Sequence, residues 1–209
     1  MTEGRQAKRQ MLRNAEYYDM TEVFDRLYSD SLKGKTFTNL MEVIESENNI
    51  LMAYRSIKKN SGSYTPGTDG KTIADIANMD TATFITVVRN KLRNYHPKPV
   101  KRVEIPKQNG KMRPLGIPTI MDRVVQQSIL QVMEPVCEPK FHERSNGFRP
   151  NRSCETAIAQ CHRMMQLSNL SFVVDVDIKG FFDNVNHGKL LKQIWTMGIR
   201  DKNLICGIS

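Results

Sequence analysis

The chain has 209 residues, of which 39% are hydrophobic and 25% charged, and a formal net charge of +9. This is enough for one sizeable core or two small ones. No run of 18 apolar residues occurs, so no membrane-spanning helix and no membrane partner are expected, and the positive charge favours a polyanion, nucleic acid being the common one.

The N-terminal stretch "MTEGRQAKRQMLRNAEYY" is basic, through Arg5, Lys8, Arg9 and Arg13, and lacks the apolar centre of a signal peptide. Glu3, Glu16 and Asp19 argue against a mitochondrial presequence. The expected location is therefore the bacterial cytoplasm rather than an organelle. Cys137, Cys154, Cys161 and Cys206 form no Cys-x-x-Cys pair, and they read as packed thiols of a reduced intracellular protein.

Apolar spacing predicts an amphipathic helix through the first 30 residues. A second helix, opened by Thr36 or Thr38, carries Phe37, Leu40, Met41 and Ile44. A third uses Ile50, Leu51, Tyr54 and Ile57 and ends in "KKNSG", a basic last turn before Gly62. The segment 60–70, "NSGSYTPGTDG", is a loop by composition. Asp80 can cap a helix with Phe84, Val87, Val88, Leu92 and Tyr95, stopped by Pro97 and Pro99.

Residues 100–118, "VKRVEIPKQNGKMRPLGIP", carry Asn109-Gly110, the strongest short hairpin signal, between two runs of strand character. Residues 98–118 hold six Lys or Arg (Lys98, Lys101, Arg102, Lys107, Lys111 and Arg113) against one acid, Glu104, so the ribbon is densely basic. Thr119 caps the next helix, with Val124, Val125, Ile129, Leu130 and Met133, and Pro135 is expected to close it. Residues 141–153 are irregular and basic, and Ser153 opens a helix with Ala157, Ile158, Cys161 and Met165. A strand is predicted over 171–177, and helix from His187 onward with Leu190, Leu191, Ile194 and Trp195. No internal repeat, P-loop or Rossmann glycine pattern is present.

In the strand "SFVVDVD", alternation puts Phe172, Val174 and Val176 on one face and Val173, Asp175 and Asp177 on the other. A carboxylate beside a packed sheet is costly unless it is paired or holds a metal, and a strand end is a rigid place from which to present a ligand. Spacing alone leaves the alternatives open: Asp177 could cap the next turn and Asp175 could pair with an arginine. Two carboxylates would also make an incomplete Mg2+ site.

Three long blocks carry a resemblance to a known family, in the family's order. "VEIPKQNGKMRPLGIPTIMDRVVQQSIL" (103–130) and "SNGFRPNRSCETAI" (145–158) are similar to the two fingers motifs of group II intron-encoded reverse transcriptases, also called maturases. "VVDVDIKGFFDNVNHGKLL" (173–191) is similar to their first palm motif, and "NNILMAYRSIKKNSGSYTPGTDG" (48–70) resembles the extra N-terminal block and its loop. The match covers about residues 36–200.

The implied fold is α/β (α+β): reverse-transcriptase fingers with an N-terminal helical extension and the start of a right-hand-polymerase palm. The expected division is 1–70 as an RNA-binding extension, 71–168 as fingers, and 169–209 as the first part of the palm. The implied activity is that of an RNA-directed DNA polymerase and splicing maturase that binds its own intron RNA. Its partners would be group II intron RNA, an RNA template with a DNA primer, and deoxynucleoside triphosphates. A homodimer is also compatible with it.

By the same resemblance Asp177 is one of three catalytic carboxylates that hold two Mg2+ ions, and the backbone carbonyl of Ile178 reaches metal. Phe182 is the steric gate against a 2′-hydroxyl, while Phe181 faces the core. Lys107 and Arg113 match positions that bind the triphosphate, where phosphoryl transfer needs cations. Asn146, Arg149 and Arg152 match the part that lies against template RNA, and Lys8, Arg9 and Arg13 belong to the expected intron-binding region. Lys101 and Arg102 carry no match, Asp175 is structural, and Asp183 braces the following turn or helix.

The family's second catalytic motif, Tyr-Ala-Asp-Asp, does not occur. The expectation is therefore a fragment that binds RNA but does not polymerise by itself. Two alternatives accompany this reading: a splicing cofactor that only binds RNA, and a related bacterial enzyme of the retron or diversity-generating type.

Overall fold

The computed structural model describes residues 13–106, 110, 112–167, 170 and 172–208. Residues 13–17 are helical, and the chain then turns through Asp19 at φ 54. Helix α1 (Thr21–Leu32) follows, then α2 (Leu40–Ile44), α3 (Glu47–Lys58), α4 (Ile73–Ala77) and α5 (Thr81–Arg93). Strands β1 (Lys101–Pro106) and β2 (Met112–Ile117) form an antiparallel hairpin in the register Lys101↔Ile117 to Pro106↔Met112. Helices α6 (Ile120–Cys137), α7 (Cys154–Leu167), α8 (His187–Thr196) and α9 (Lys202–Ile208) complete the described elements.

Side-chain caps set most helix starts. The Ser46 side chain accepts from Asn49 N–H, Asp80 from Thr83 N–H, and Thr119 from Asp122 N–H. Each ties up a donor that the first turn leaves orphaned. Thr72 and Asp75 make a capping box that starts α4, a short helix within a stretch that the spacing leaves unassigned.

The core is built around α6. Its Val124, Val125, Val132 and Val136 are fully buried, and α1 and α3 pack along it. Ile44, Ile50, Ala53, Phe84, Val88 and Leu92 join from the N-terminal helices, Ile199 and Leu204 from the C-terminal end. The segments just before α2 and just after α8 also meet through backbone: Phe37 N–H donates to Gly198 O, and Arg200 N–H to Phe37 O, both at 2.8 Å.

Several expectations are corrected. The first 30 residues are not one helix, because the positive φ at Asp19 breaks the described part. Neither Thr36 nor Thr38 opens α2: Asn39 precedes it without a side-chain cap, and the Thr38 hydroxyl is spent on Asn39 Oδ1 at 2.9 Å. Pro135 does not close α6, which runs on to Cys137, since a proline in the last turn forfeits one hydrogen bond where the helix is already ending. Leu130 points outward from that helix and is exposed.

The predicted strand at 171–177 does not form over its described part: residues 172–178 belong to no strand. A strand exists only by pairing, and the two described strands pair with each other. The alternation is real in the sequence, but Phe172 (93% exposed), Val174 and Val176 bury nothing here. Helix α7 forms where Ser153 predicts, with Thr156 N–H donating to Ser153 Oγ at 3.3 Å, yet none of its residues is buried.

Candidate nucleotide and nucleic-acid interface

Gly110 adopts φ 75, a left-handed conformation suited to glycine. Arg113 sits on β2 opposite Ile105, exposed and without an ion pair or hydrogen bond among the described residues. Lys107 lies outside the described residues, as do Lys8 and Arg9. Arg13 is exposed at the start of the 13–17 helical stretch.

The base of the hairpin is tied down by residues that the sequence did not single out. Asp122, buried, accepts from Thr119 Oγ1 at 2.6 Å, from Lys91 Nζ at 3.2 Å and from Lys98 N–H at 3.3 Å. Arg123 donates from Nε to Pro118 O at 3.0 Å and from its two terminal nitrogens to Gly62 O and Thr65 O, each at 2.8 Å. Loss of solvation holds this guanidinium below its ordinary pKa, with Asp69 acting in the other direction. Thr68 Oγ1 donates to Pro99 O at 2.9 Å, and Asp69 lies 3.8 Å from Lys98 Nζ. The 60–70 loop is therefore strapped across both strand ends, at Pro99 and Pro118. The only sequence sign of this was the loop's turn composition.

The segment 141–153 is a compact knot. Arg149 donates from Nε and one terminal nitrogen to the Glu138 carboxylate (2.7 Å at the shortest) and from the other to His142 O and Ser145 O, at 2.7 and 2.8 Å. It also reaches Glu138 O at 3.5 Å and stacks 5.5 Å from the Phe141 ring. Its side chain is only 7% exposed. The guanidinium's five donors are thus committed inside the protein, and the contact with template RNA expected of Arg149 has no donor left to make it in this structure. Glu138 holds this arginine above its ordinary pKa.

Asn146 donates to Gln160 Oε1 at 2.8 Å and to Arg144 O at 3.1 Å, which pins the loop to α7. Arg152 is half-buried, and its side chain makes no hydrogen bond among the described residues. Phe148 and Asn151 both take positive φ, 53 and 60 respectively, and Phe148 is fully exposed. A bulky residue in that region is strained.

Asp177 is exposed, and neither alternative use of the two aspartates is made: among the described residues the Asp177 carboxylate caps no turn, and Asp175 meets no arginine. Ile178 is exposed beside it. Lys179 and Gly180 turn the chain, with Gly180 at φ 61 and its carbonyl accepting from Asn184 Nδ2 at 2.8 Å. Phe182 follows at 86% exposure. Phe181, expected in the core, is also exposed and packs edge-on against Phe182 with 5.5 Å between ring centroids. Among the described residues the 172–178 run forms no paired strand for Phe181 to pack beneath. The Asp183 side chain lies outside the described residues. Among the described residues no three metal-ligating side chains cluster.

The profile of the family described as "Reverse transcriptase (RNA-dependent DNA polymerase)" matches residues 105–208, from the hairpin to the last helix. The chain belongs to the group II intron-encoded reverse transcriptases. Among these relatives, the group II intron-encoded protein LtrA of Lactococcus lactis subsp. cremoris is 33% identical over 87% of this chain and 30% of its own length. Protein YkfC of Escherichia coli (strain K12) is 38% identical over 74% of this chain and 42% of its own length. The putative COX1/OXI3 intron 1 protein of Saccharomyces cerevisiae is 30% identical over 97% of this chain and 24% of its own. The chain thus spans less than half the length of these curated relatives.

Proposed function

We propose that this chain supplies the fingers and the first part of the palm of an RNA-directed DNA polymerase that also assists splicing of its own group II intron. Residues 1–70 would be the RNA-binding extension, 71–168 the fingers and 169–209 the start of the palm. The observation that carries the reading is the family match over 105–208, which takes in β2 of the basic hairpin and the exposed Asp177 turn. Lys107 and Arg113 are assigned to the triphosphate, Phe182 to the nucleotide sugar, and Lys8, Arg9, Arg13, Asn146 and Arg152 to RNA. Arg149 is assigned instead to holding the RNA-facing loop in shape, because its donors are spent on Glu138, His142 and Ser145.

The Asp177 carboxylate and the Ile178 carbonyl are hard oxygen donors, the kind Mg2+ takes. They are of the right chemistry and too few to make a site, so they would form part of one. Mg2+ bound there would neutralise the charge that develops on the transferred phosphate. This chain's own part would be to hold Asp177 at the Gly180 turn and to set Phe182 where the sugar lies. By itself the chain would act as an RNA-binding module. The full-length protein would work with RNA in the bacterial cytoplasm, and among the described residues no helix is long and apolar enough to cross a membrane.

The test uses the full-length protein. Asp177→Asn keeps size and removes the charge, so cDNA synthesis falls by several powers of ten, while splicing assistance, which needs the surface and not the metal, survives. Normal primer extension by the variant would make Asp177 structural.

A further inference from the structure

The catalytic reading leaves one cluster of aromatic and cationic side chains unused. Tyr17 ends the helical stretch 13–17, just before the turn at Asp19. Asn14 and Met20, both buried, anchor the stretch on either side, and Met20 N–H donates to Ala15 O at 2.8 Å. Tyr17 is thereby held in place and still 70% exposed. The Arg55 guanidinium, from α3, lies 5.2 Å from the centre of its ring, and Tyr18 abuts it edge-on with centroids 4.9 Å apart. One turn further along α3, Lys58 Nζ lies 5.6 Å from the Tyr54 ring. Lys59 is exposed next to it, and Arg13 is exposed one helical turn before Tyr17. Among the described residues none of Arg13, Arg55, Lys58 and Lys59 pairs with a carboxylate.

We propose that Tyr17, backed by Arg55, is a stacking platform for an unpaired RNA base, and that Lys58, Lys59 and Arg13 hold the phosphates on either side of that base. The inference rests on the RNA-binding reading above and gives it a site and a substrate class: single-stranded or looped-out RNA rather than a continuous duplex. Stacking is the interaction that a fixed, exposed aromatic ring offers, and it requires a base that is out of its helix. Arg55 pre-orders the ring and adds positive charge beneath the incoming base. The surrounding cations lack protein counter-charges, which leaves them for phosphates. A bare basic face would need no ring, and a ring that served only to pin the N-terminal stretch would be covered.

The experiment compares a labelled single-stranded oligoadenylate with an abasic strand of the same length across a salt series, using the whole chain. The expected result is tighter binding of the strand that carries bases. Tyr17→Phe retains that preference. Tyr17→Leu keeps apolar bulk without the aromatic face and loses roughly 5- to 100-fold on the oligoadenylate, with the abasic strand and the salt slope unchanged. Lys58→Gln weakens both strands and lowers the salt slope by about one phosphate contact. Equal binding of the two strands, or an equal loss on both with Tyr17→Leu, overturns the platform while leaving the basic-surface reading intact. Absence of binding to either strand at low salt removes the RNA-binding reading itself.

Discussion

The Asp201 carboxylate accepts a 2.8 Å hydrogen bond from the backbone N–H of Met41, 160 residues earlier in the chain. Its other oxygen accepts from the N–H groups of Asn203 and Leu204, so one buried side chain, 3% exposed, caps α9 and closes the first turn of α2. Asp201→Ala leaves all three donors unpartnered in or near the core. The expected loss is about 2–4 kcal/mol, read as a lower urea midpoint with an unchanged slope.

The strap across the hairpin base has a backbone contact at its centre. A Cβ on Gly67 would lie 2.7 Å from the Thr119 Cα and 2.9 Å from Pro118 O, and neither can move aside as a flexible side chain would. Gly67→Ala therefore lifts the loop, at about 1–3 kcal/mol. Arg123→Ala removes the three carbonyl contacts and has the same effect by another route. In both variants limited proteolysis within 60–70 becomes faster than in the wild-type chain, while a cut elsewhere first would show that the strap does not hold the loop.

Glu134 lines an apolar groove with Met133, Cys137 and Ile208. Burial, with Glu138 nearby, raises its pKa above the ordinary 4.5, and burial alone pushes the Cys137 thiol up to about 11. A carboxyl whose folded pKa is raised favours the folded state in full only below its unfolded value. That contribution is lost as pH rises through the folded value. Glu134→Gln should therefore be more stable than the wild type at pH 7, with the gain gone at pH 3.5. Thermal melts at both values check it, and an equal gain at both would mean the charge is not the cause.

Phe182 is exposed beside the Asp177 turn. If Phe182 is the gate against the 2′-hydroxyl as proposed, Phe182→Ala in the full-length protein leaves DNA synthesis partly intact and admits ribonucleotides. Single-nucleotide incorporation with dNTP and rNTP measures the ratio. Unchanged discrimination would return Phe182 to a packing role.

What the sequence determined by itself is what depends on near neighbours. Ser46, Asp80, Thr119 and Ser153 start helices because a side-chain oxygen meets an N–H three residues on, and the two strands flanking Gly110, which takes a positive φ, pair as a hairpin. The valines of α6 fall on the core face by helical spacing, and the order of the long motifs places the chain in its family. The tertiary structure decided whatever needs a distant partner. The run at 172–178 has the alternation of a strand but pairs with no described strand, and its apolar face stays open. Arg149 and Arg123 look alike in sequence to the cations proposed to contact RNA, and their donors are fixed by carbonyls and a carboxylate that only folding brings close. Asp201 reads as one more surface acid until Met41 arrives, because a hydrogen bond across 160 residues leaves no trace in local spacing.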